Sequence, residues 1–288
     1  MRISRTPLRV TLGGGGSDLT GVGTCITLSI DLYVYVAVNP THNDEYSVKY
    51  SVTERTTDPS AIQHPIIRRV IRDHAIGPGV EIVTMADVPA RSGLGSSGAF
   101  TVGLLHALDP ARSRNDLAQS ACRYDVGLQD QYAATYGGLN VWRFDGSLNH
   151  RNITKQRTSV EPPAFLFGLC LYDTGLRRDA QTTLRANPRP DPKTLLQQAA
   201  DMRAALADPT KFADELNRQW AAKYEAAPTP AHRYINHQIS ELRRDGIWGA
   251  KLCGAGDGGF ILGFAPDVVK SDLRRIPVRP DMEGTRLL

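Results

Sequence analysis

The sequence GLGSSG occupies residues 93–98 and is followed by the apolar run AFTVGLL at 99–105. This order predicts a glycine–serine loop that leads directly into a helix. Glycine lets a backbone approach a ligand closely, and the free N–H groups at a helix N-terminus favour an anion. Because the letters also match G-x-G-x-x-G, three interpretations are open: a dinucleotide site, a nucleotide triphosphate site, or a turn that only starts a helix.

The dinucleotide interpretation fails on its context. A Rossmann loop follows the first strand of a βαβ unit, and an acidic residue lies about twenty positions further on, at the end of the next strand. Here the acid near that distance is Asp116, which opens a helical stretch. A second match at 254–259 leads into a strand, and the chain contains no G-K-[ST], so a Walker P-loop is excluded as well.

Composition narrows the class of protein. The chain has 288 residues, 41% hydrophobic and 22% charged, with a net charge of +4, as expected for a soluble globular protein. The basic residues are spread along the chain, which suits an anionic small molecule rather than nucleic acid. No apolar run approaches the length of a membrane span, so we expect no membrane partner. The cysteines lack C-x-x-C spacing, so we expect no disulfide framework or zinc site and a cytoplasmic location; they are Cys25, Cys122, Cys170 and Cys253.

Hydrophobic periodicity predicts an irregular mixture of strands and helices, and therefore an α+β fold in two lobes. Pro162 and Pro163 mark a boundary, which we place between residues 1–158 and 159–288. The predicted strands are 1–12 (an edge strand), 26–38, 80–84, 164–172 and 259–264. The predicted helices are 97–108, 116–122, 193–206, 210–225 and 230–245.

Three glycine-rich segments occur in order, at 6–19, 89–97 and 249–259. Together they resemble the GHMP kinase superfamily (galacto-, homoserine, mevalonate and phosphomevalonate kinases) over nearly the whole chain. A finer resemblance is to bacterial D-glycero-D-manno-heptose 7-phosphate kinases. It is carried by RTPLRV-x5-GSDL at 5–19, GLQDQYAA-x2-GG at 127–138, TGLRR at 174–178 and EGTR at 283–286.

The resemblance implies a ribosomal protein S5 domain 2-like N-terminal domain, a ferredoxin-like C-terminal domain and an active site between them. It further implies an ATP- and Mg²⁺-dependent kinase that phosphorylates the anomeric (C1) hydroxyl of D-glycero-α-D-manno-heptose 7-phosphate. The 1,7-bisphosphate would supply GDP-activated heptose for a capsule or lipopolysaccharide. The alternatives are another sugar-1-kinase of the superfamily, fucokinase-like and acting on an unphosphorylated sugar, and a non-catalytic sugar or nucleotide sensor. The oligomeric state stays open, with a homodimer as one alternative.

For catalysis, the resemblance implicates Asp130 and Arg9. Asp130 matches the carboxylate that accepts or orients the hydroxyl proton; its alternative is a first-turn helix acid. Arg9 matches a basic residue beside that carboxylate, where a guanidinium would neutralise the transferring phosphate. Its alternative is a surface arginine at the edge of a strand.

For the nucleotide, the resemblance implies that residues 93–98 wrap the phosphates of ATP. We expect Ser97 to bind Mg²⁺ together with Asp125, a position at which many relatives have Glu. The segment 254–259 is expected to pack against this loop and support it. The expected nucleotide contacts are Arg91, Gly93, Leu94, Gly95, Ser96, Ser97 and Gly98.

For the acceptor, Asp18 matches an acid that binds sugar hydroxyls; its alternative is a turn-capping aspartate. A phosphorylated substrate needs a second anion pocket, for which Arg178 and Lys251 are candidates unless they are solvated surface residues. The chain is shorter than its relatives between Asp18 and Cys25 and just before Gly127, so we expect this set to be incomplete. The expected substrate contacts are Gly15, Gly16, Ser17, Asp18, Gly137, Arg178 and Lys251.

Overall fold

A computed structural model of the chain describes residues 1–20, 22–124, 127–145, 154–177, 191–226, 228–254 and 256–288. The strands are β1 (Arg2–Gly13), β2 (Gly23–Pro40), β3 (Tyr46–Lys49), β4 (Thr53–Thr56), β5 (Val80–Ala86), β6 (Leu139–Asp145), β7 (Thr154–Val160), β8 (Leu169–Asp173), β9 (Gly249–Leu252), β10 (Phe260–Phe264), β11 (Arg275–Pro277) and β12 (Arg286–Leu287). The helices are α1 (Pro65–Asp73), α2 (Ser96–Leu108), α3 (Arg114–Ala121), α4 (Gln129–Tyr136), α5 (Pro192–Ala205), α6 (Pro209–Ala226) and α7 (Pro230–Arg244).

The larger sheet is organised around β2, whose run of β-branched and aromatic residues favours a long strand. Its strand order is β12-β1-β2-β5-β3-β4, and β6 and β7 extend the sheet from the N-terminal half of β2. The prediction that residues 1–12 form an edge strand is wrong, because β12 pairs with β1 at Ser4 and Arg5. Strand β1 therefore lies inside the sheet and carries Arg9 towards its C-terminal end.

The smaller sheet has the order β11-β8-β10-β9, and α6 and α7 pack against it. The strand predicted at 164–172 is shorter than expected, since Ala164–Gly168 forms a 3₁₀ turn and β8 begins at Leu169. Two prolines precede this turn, and they cannot donate to a ladder of strand hydrogen bonds. A Cβ at Gly168 would lie 2.5 Å from the Ala265 carbonyl oxygen, so the backbone is closely packed there.

Helices α5, α6 and α7 confirm the three helices predicted after residue 190. Each begins with a proline, which is preorganised for the first helical position. At α7, the Thr229 hydroxyl also accepts a hydrogen bond from the His232 N–H. These local signals explain why the helix boundaries were readable from the sequence.

One hydrophobic cluster crosses both sheets: it includes Leu8 and Ile26 from the larger sheet and Leu171 and Phe260 from the smaller one. The α+β fold is therefore confirmed, and its lobes share a core. Strand β7 ends at Val160 and β12 returns to the larger sheet; the boundary at 158/159 stays a prediction. Within the described ranges, no helix combines the length and apolar character that a membrane crossing requires.

Candidate active site

Arg9 and Asp130 form the centre of the candidate site, and two elements bring them together. Arg9 lies on β1, and Asp130 lies in the first turn of α4. Arg9 Nε donates to Asp130 Oδ1 at 2.8 Å, and Arg9 Nη2 lies 2.7 Å from the same oxygen. The Arg9 side chain is 7% exposed and that of Asp130 is 20% exposed. A buried guanidinium thus holds a carboxylate that is still accessible.

The glycine–serine loop lies directly against this pair. Arg9 Nη1 donates to the Gly93 carbonyl oxygen at 2.8 Å, and the Arg9 N–H donates to the Leu94 carbonyl at 3.0 Å. A Cβ at Gly95 would lie 3.3 Å from Asp130 Cγ, and one at Gly98 would lie 2.7 Å from Asp130 Cβ. These contacts require glycine, and they place the catalytic candidates beside the start of α2.

The start of α2 offers free donors. Its N-cap, Gly95, is left-handed (φ 74°), and no side chain caps the helix. The first-turn N–H groups at 96–98 therefore lack a capping partner, and the helix dipole makes this end electropositive. Ser97 is exposed at this position, and Arg91 is exposed with φ 63°. This is the geometry of an anion site.

The second glycine loop packs behind the first, as the sequence predicted. A Cβ at Gly93 would lie 2.7 Å from the Cys253 carbonyl oxygen, and one at Gly254 would lie 2.7 Å from Gly93 Cα. A Cβ at Gly259 would collide with the carbonyl oxygen of Ser92. Two backbones thus touch with no side chain between them, so this loop supports the one at 93–98.

Asp18 is buried, at 1% exposure, and binds the start of α4. Its Oδ2 accepts hydrogen bonds from the N–H groups of Leu128 (2.7 Å) and Gln129 (3.1 Å), and its Oδ1 accepts from Gln129 Nε2 at 3.2 Å. Burial raises the pKa of the Asp18 carboxyl above its usual value, whereas the backbone hydrogen bonds lower it. This carboxylate therefore caps the helix that carries Asp130, and the sugar contact stays a prediction.

The tetraglycine turn at 13–16 is closed at one end and open at the other. Gly13 lies under α5, where a Cβ would be 2.8 Å from the Gln198 carbonyl oxygen. Gly16 (φ 92°) has no atom within 4 Å of an added Cβ, and Gly15 is exposed. Ser17 is buried, and its hydroxyl donates to the Thr24 carbonyl at 3.0 Å. Gly15 and Gly16 are thus the accessible part of this segment.

Lys251 is 9% exposed and already has partners in the protein. Its Nζ donates to the Leu12 carbonyl oxygen at 2.8 Å and to Gln219 Oε1 at 2.7 Å. Burial is the main cause that lowers the pKa of Lys251 to about 7. Lys251 thus lies between β1 and α6 and not on an open surface.

The remaining predicted residues lie further away or cannot be placed. Gly137 ends α4, opposite the end that carries Asp130, and a Cβ there would collide with the Gly284 nitrogen. Asp125 and Arg178 lie outside the described residues.

Two residues in the site were not singled out from the sequence. Gln129, inside the motif at 127–138, binds Asp18, and its Oε1 accepts from Thr11 Oγ1 at 2.9 Å. Lys223 donates to the Gly254 carbonyl oxygen at 2.8 Å. The motif was a usable signal for Gln129. Nothing in the sequence marks Lys223, because most lysines on helices are solvated and have no partner in the protein.

Comparisons with known proteins bear on the fold and on the class of protein. Residues 62–138 match the family model for the GHMP kinases N terminal domain. The chain is 27% identical to D-glycero-alpha-D-manno-heptose 7-phosphate kinase of Campylobacter jejuni, over 94% of this chain and 91% of that protein. It is 26% identical to mevalonate kinase of Archaeoglobus fulgidus, over 99% of each. A D-glycero-D-manno-heptose 1-phosphate kinase structure from Bacteroides thetaiotaomicron superimposes with a TM-score of 0.74 at 23% identity, covering 100% of this chain and 99% of that one.

The fold and the matched region define a GHMP-type kinase domain, in which α2, α4 and the glycine–serine loop lie together. Residues 62–138 are thus similar to the N-terminal domain of the GHMP kinases, and the relatives that match more than nine tenths of this chain are named kinases.

Proposed function

We propose that this protein transfers the γ-phosphoryl group of ATP to a sugar hydroxyl. One observation carries the proposal: the Arg9–Asp130 ion pair lies against the uncapped first turn of α2. An anion site and a held carboxylate are thereby in contact. Phosphoryl transfer needs little more than positioning and charge stabilisation, and this arrangement supplies both.

In this mechanism the N–H groups at 95–98 hold the ATP phosphates. Asp130 Oδ2, the oxygen that Arg9 does not bind, accepts the proton of the acceptor hydroxyl. The hydroxyl oxygen forms a bond to the γ-phosphorus as the bond from that phosphorus to the β,γ-bridging oxygen breaks, and ADP leaves with the electron pair. Arg9 stabilises the carboxylate and the charge on the phosphoryl group.

Magnesium fits the donors of this site. The exposed Ser97 hydroxyl at the start of α2 is a hard oxygen donor, and Mg²⁺ usually takes one or two protein ligands together with substrate phosphates. Across the described ranges, no group of three or more His, Cys, Asp or Glu residues is placed to bind a metal. We propose Ser97 as a ligand, with Asp125 as a second. The ion would neutralise charge on the phosphates.

For the acceptor, we propose D-glycero-α-D-manno-heptose 7-phosphate, phosphorylated at C1 in the cytoplasm for capsule or lipopolysaccharide synthesis. Support comes from the Campylobacter jejuni relative, a D-glycero-alpha-D-manno-heptose 7-phosphate kinase that matches 94% of this chain. The exposed Gly15 and the partly exposed Gly16 offer backbone donors close in sequence to Asp18 for the sugar. The phosphate would need Arg178, since Lys251 is engaged by Leu12 and Gln219.

The engagement of Lys251 by Leu12 and Gln219 favours a second candidate, a sugar-1-kinase for an unphosphorylated sugar. A phosphate pocket that loses one of its two candidate cations has less reason to prefer a phosphorylated acceptor. Mannose and mannose 6-phosphate separate the two proposals, because they differ only in the phosphate. We expect a higher kcat/KM for the phosphorylated sugar, and equal values would favour the second candidate.

The experiment that tests the proposed function is a panel assay. Purified protein is incubated with MgATP and several sugars and sugar phosphates, ADP release is measured, and ³¹P NMR identifies the phosphorylated position. We expect ADP release only with an acceptor, and a new anomeric phosphate. If nucleotide binds but none of the sugars stimulates ADP release, the result would contradict a kinase and favour a sensor.

A further inference from the structure

Two buried cations, Arg9 and Lys251, and the half-buried Lys223 share one kind of contact around the candidate site. Each donates a hydrogen bond to a backbone carbonyl, and each carbonyl belongs to a different glycine-rich segment. The pairs are Arg9 with Gly93, Lys251 with Leu12 (directly before the tetraglycine turn) and Lys223 with Gly254, each at 2.8 Å. The three segments that line the site are thus each tied to a positive charge.

Lys251 joins the two sheets. It lies on β9 of the smaller sheet, and Leu12 lies on β1 of the larger one. Its second acceptor, Gln219 Oε1 on α6, is fixed in turn because Gln219 Nε2 donates to Glu215 Oε1 at 2.9 Å. Lys223 follows Gln219 by one helical turn of α6, so both lysine contacts depend on the same helix.

The two lysines are linked to the glycine–serine loop through other residues. Lys223 holds Gly254, whose backbone touches Gly93. Lys251 is near enough to Arg9 for that guanidinium to lower its pKa. Interactions between charges are stronger near buried groups such as Arg9 and Lys251 than in bulk water.

Both lysines are close to losing their protons at neutral pH. Burial, as the main cause, lowers the pKa of Lys251 to about 7 and that of Lys223 to about 8. The other groups near Lys251 are Cys253 and Glu215, which raise its pKa, and Lys223 and Arg9, which lower it. Near Lys223 they are Cys253 and Asp257, both of which raise its pKa. Burial raises the pKa of the Cys253 thiol to about 11.

We propose that Lys223 and Lys251 are positioning residues for the glycine loops, and that nucleotide binding is coupled to protonation of this pair. The inference rests on the proposed function, because it assumes that the loop at 93–98 binds ATP phosphates. The phosphates need not touch the lysines. A polyanion in the loop favours the charged form of both, so the complex holds protons that the free protein has partly lost.

The sign of the effect follows from this linkage. About a pH unit or more below 7, both lysines are almost fully charged with or without nucleotide, so the affinity is highest there and nearly independent of pH. As the pH rises through about 7 and 8, the free protein loses protons that the complex retains. The affinity for MgATP therefore falls with rising pH. Each unit by which nucleotide raises a lysine pKa corresponds to about a tenfold change in affinity.

The test is calorimetric titration of the whole chain with MgATP from pH 6 to 9, in buffers with different ionisation enthalpies. We expect the Kd to rise about tenfold over this range, with net proton uptake near pH 8. Lys251→Met and Lys223→Met should each flatten the profile and reduce proton uptake. Lys211→Met, an exposed lysine on the same helix, is the matched control and should behave like the wild type.

The outcomes separate this inference from the proposed function. MgATP binding with a flat profile and no proton uptake in the wild type overturns the coupling alone. Wild-type profiles in both folded variants also overturn it. Failure of the wild type to bind MgATP at any pH overturns the proposed function and this inference together. If Lys251→Met does not fold, the wild-type protein and Lys223→Met decide the question.

Discussion

The pattern G-x-G-x-x-G occurs at 93–98 and again at 254–259, and the two copies do different things. The first copy ends in α2, so its backbone N–H groups are uncapped and Ser97 is exposed. The second copy leads into β10, whose N–H groups pair with neighbouring strands, and its described residues 256–259 are buried. In both copies the glycines allow backbone conformations and close contacts that a side chain would prevent. The element that follows decides which copy can bind an anion.

The largest expected effect comes from Asp130, the carboxylate that lies against the first loop. Asp130→Asn keeps the size of the side chain but removes the base, so we expect kcat to fall about a thousandfold while MgATP binds as before. Steady-state kinetics and nucleotide titration check this. Asp214→Asn, an exposed acid on α6, is the control and should retain full activity. Full turnover by the Asp130 variant would contradict its catalytic role.

Arg9→Met should have the next largest effect. It removes the cation beside Asp130 and the donor to the Gly93 carbonyl, so we expect kcat/KM to fall about a hundredfold. Arg9→Lys tests the geometry, because an ammonium cannot bind the carboxylate and the carbonyl through a planar fork. We expect the lysine variant to recover only part of the activity. Complete recovery would show that charge alone is needed.

A pair of alanine substitutions distinguishes the role of the first loop in activity from the role of the second loop in stability. Gly259→Ala adds a Cβ that collides with Ser92 at a residue with φ 101°, so we expect the free energy of unfolding to fall by about 3 kcal/mol. Gly98→Ala lies within a helix, where alanine is favourable, but its Cβ would press on Asp130. We expect a loss of about 1 kcal/mol and a larger loss of kcat.

We expect the Gly259 variant to lose more stability and the Gly98 variant to lose more turnover. Chemical denaturation and activity per folded molecule check this, measured on both variants. The two variants control for each other, since each adds a single methyl group to a glycine of the same pattern. Equal losses of stability, with equal losses of turnover, would contradict the division of roles.

The smallest expected effect belongs to Ser97→Ala. Loss of the hydroxyl should raise the KM for MgATP about tenfold, as expected for one hydrogen bond or ligand contact to a charged group. The effect should shrink when Mg²⁺ is replaced by a less oxygen-selective divalent ion. Ser51→Ala, on an exposed turn, is the control. An unchanged KM would exclude Ser97 from the nucleotide and metal site.

Local features of the fold were predictable from the sequence, and long-range contacts were not. The loop before α2 and the first residues of α5 to α7 were predictable because their signals, glycines and prolines, lie in adjacent residues. The role of Asp18 depends on Leu128, 110 residues away, and that of Lys251 depends on Leu12, 239 residues away. Neither partner is identifiable from spacing, because a backbone donor or acceptor has no signature in the sequence. The resemblance predicted the location of the candidate site but not these partners.

The central claim is that the helix-bearing loop holds the ATP phosphates while the strand-bearing loop supports it. The most direct test is NMR of ¹⁵N-labelled protein titrated with ATP and Mn²⁺, which broadens nearby amide signals. We predict that the amides of 95–98 broaden first and most strongly, and those of 256–259 less. Broadening that is strongest at 256–259, or absent from both loops while nucleotide binds, would contradict the account.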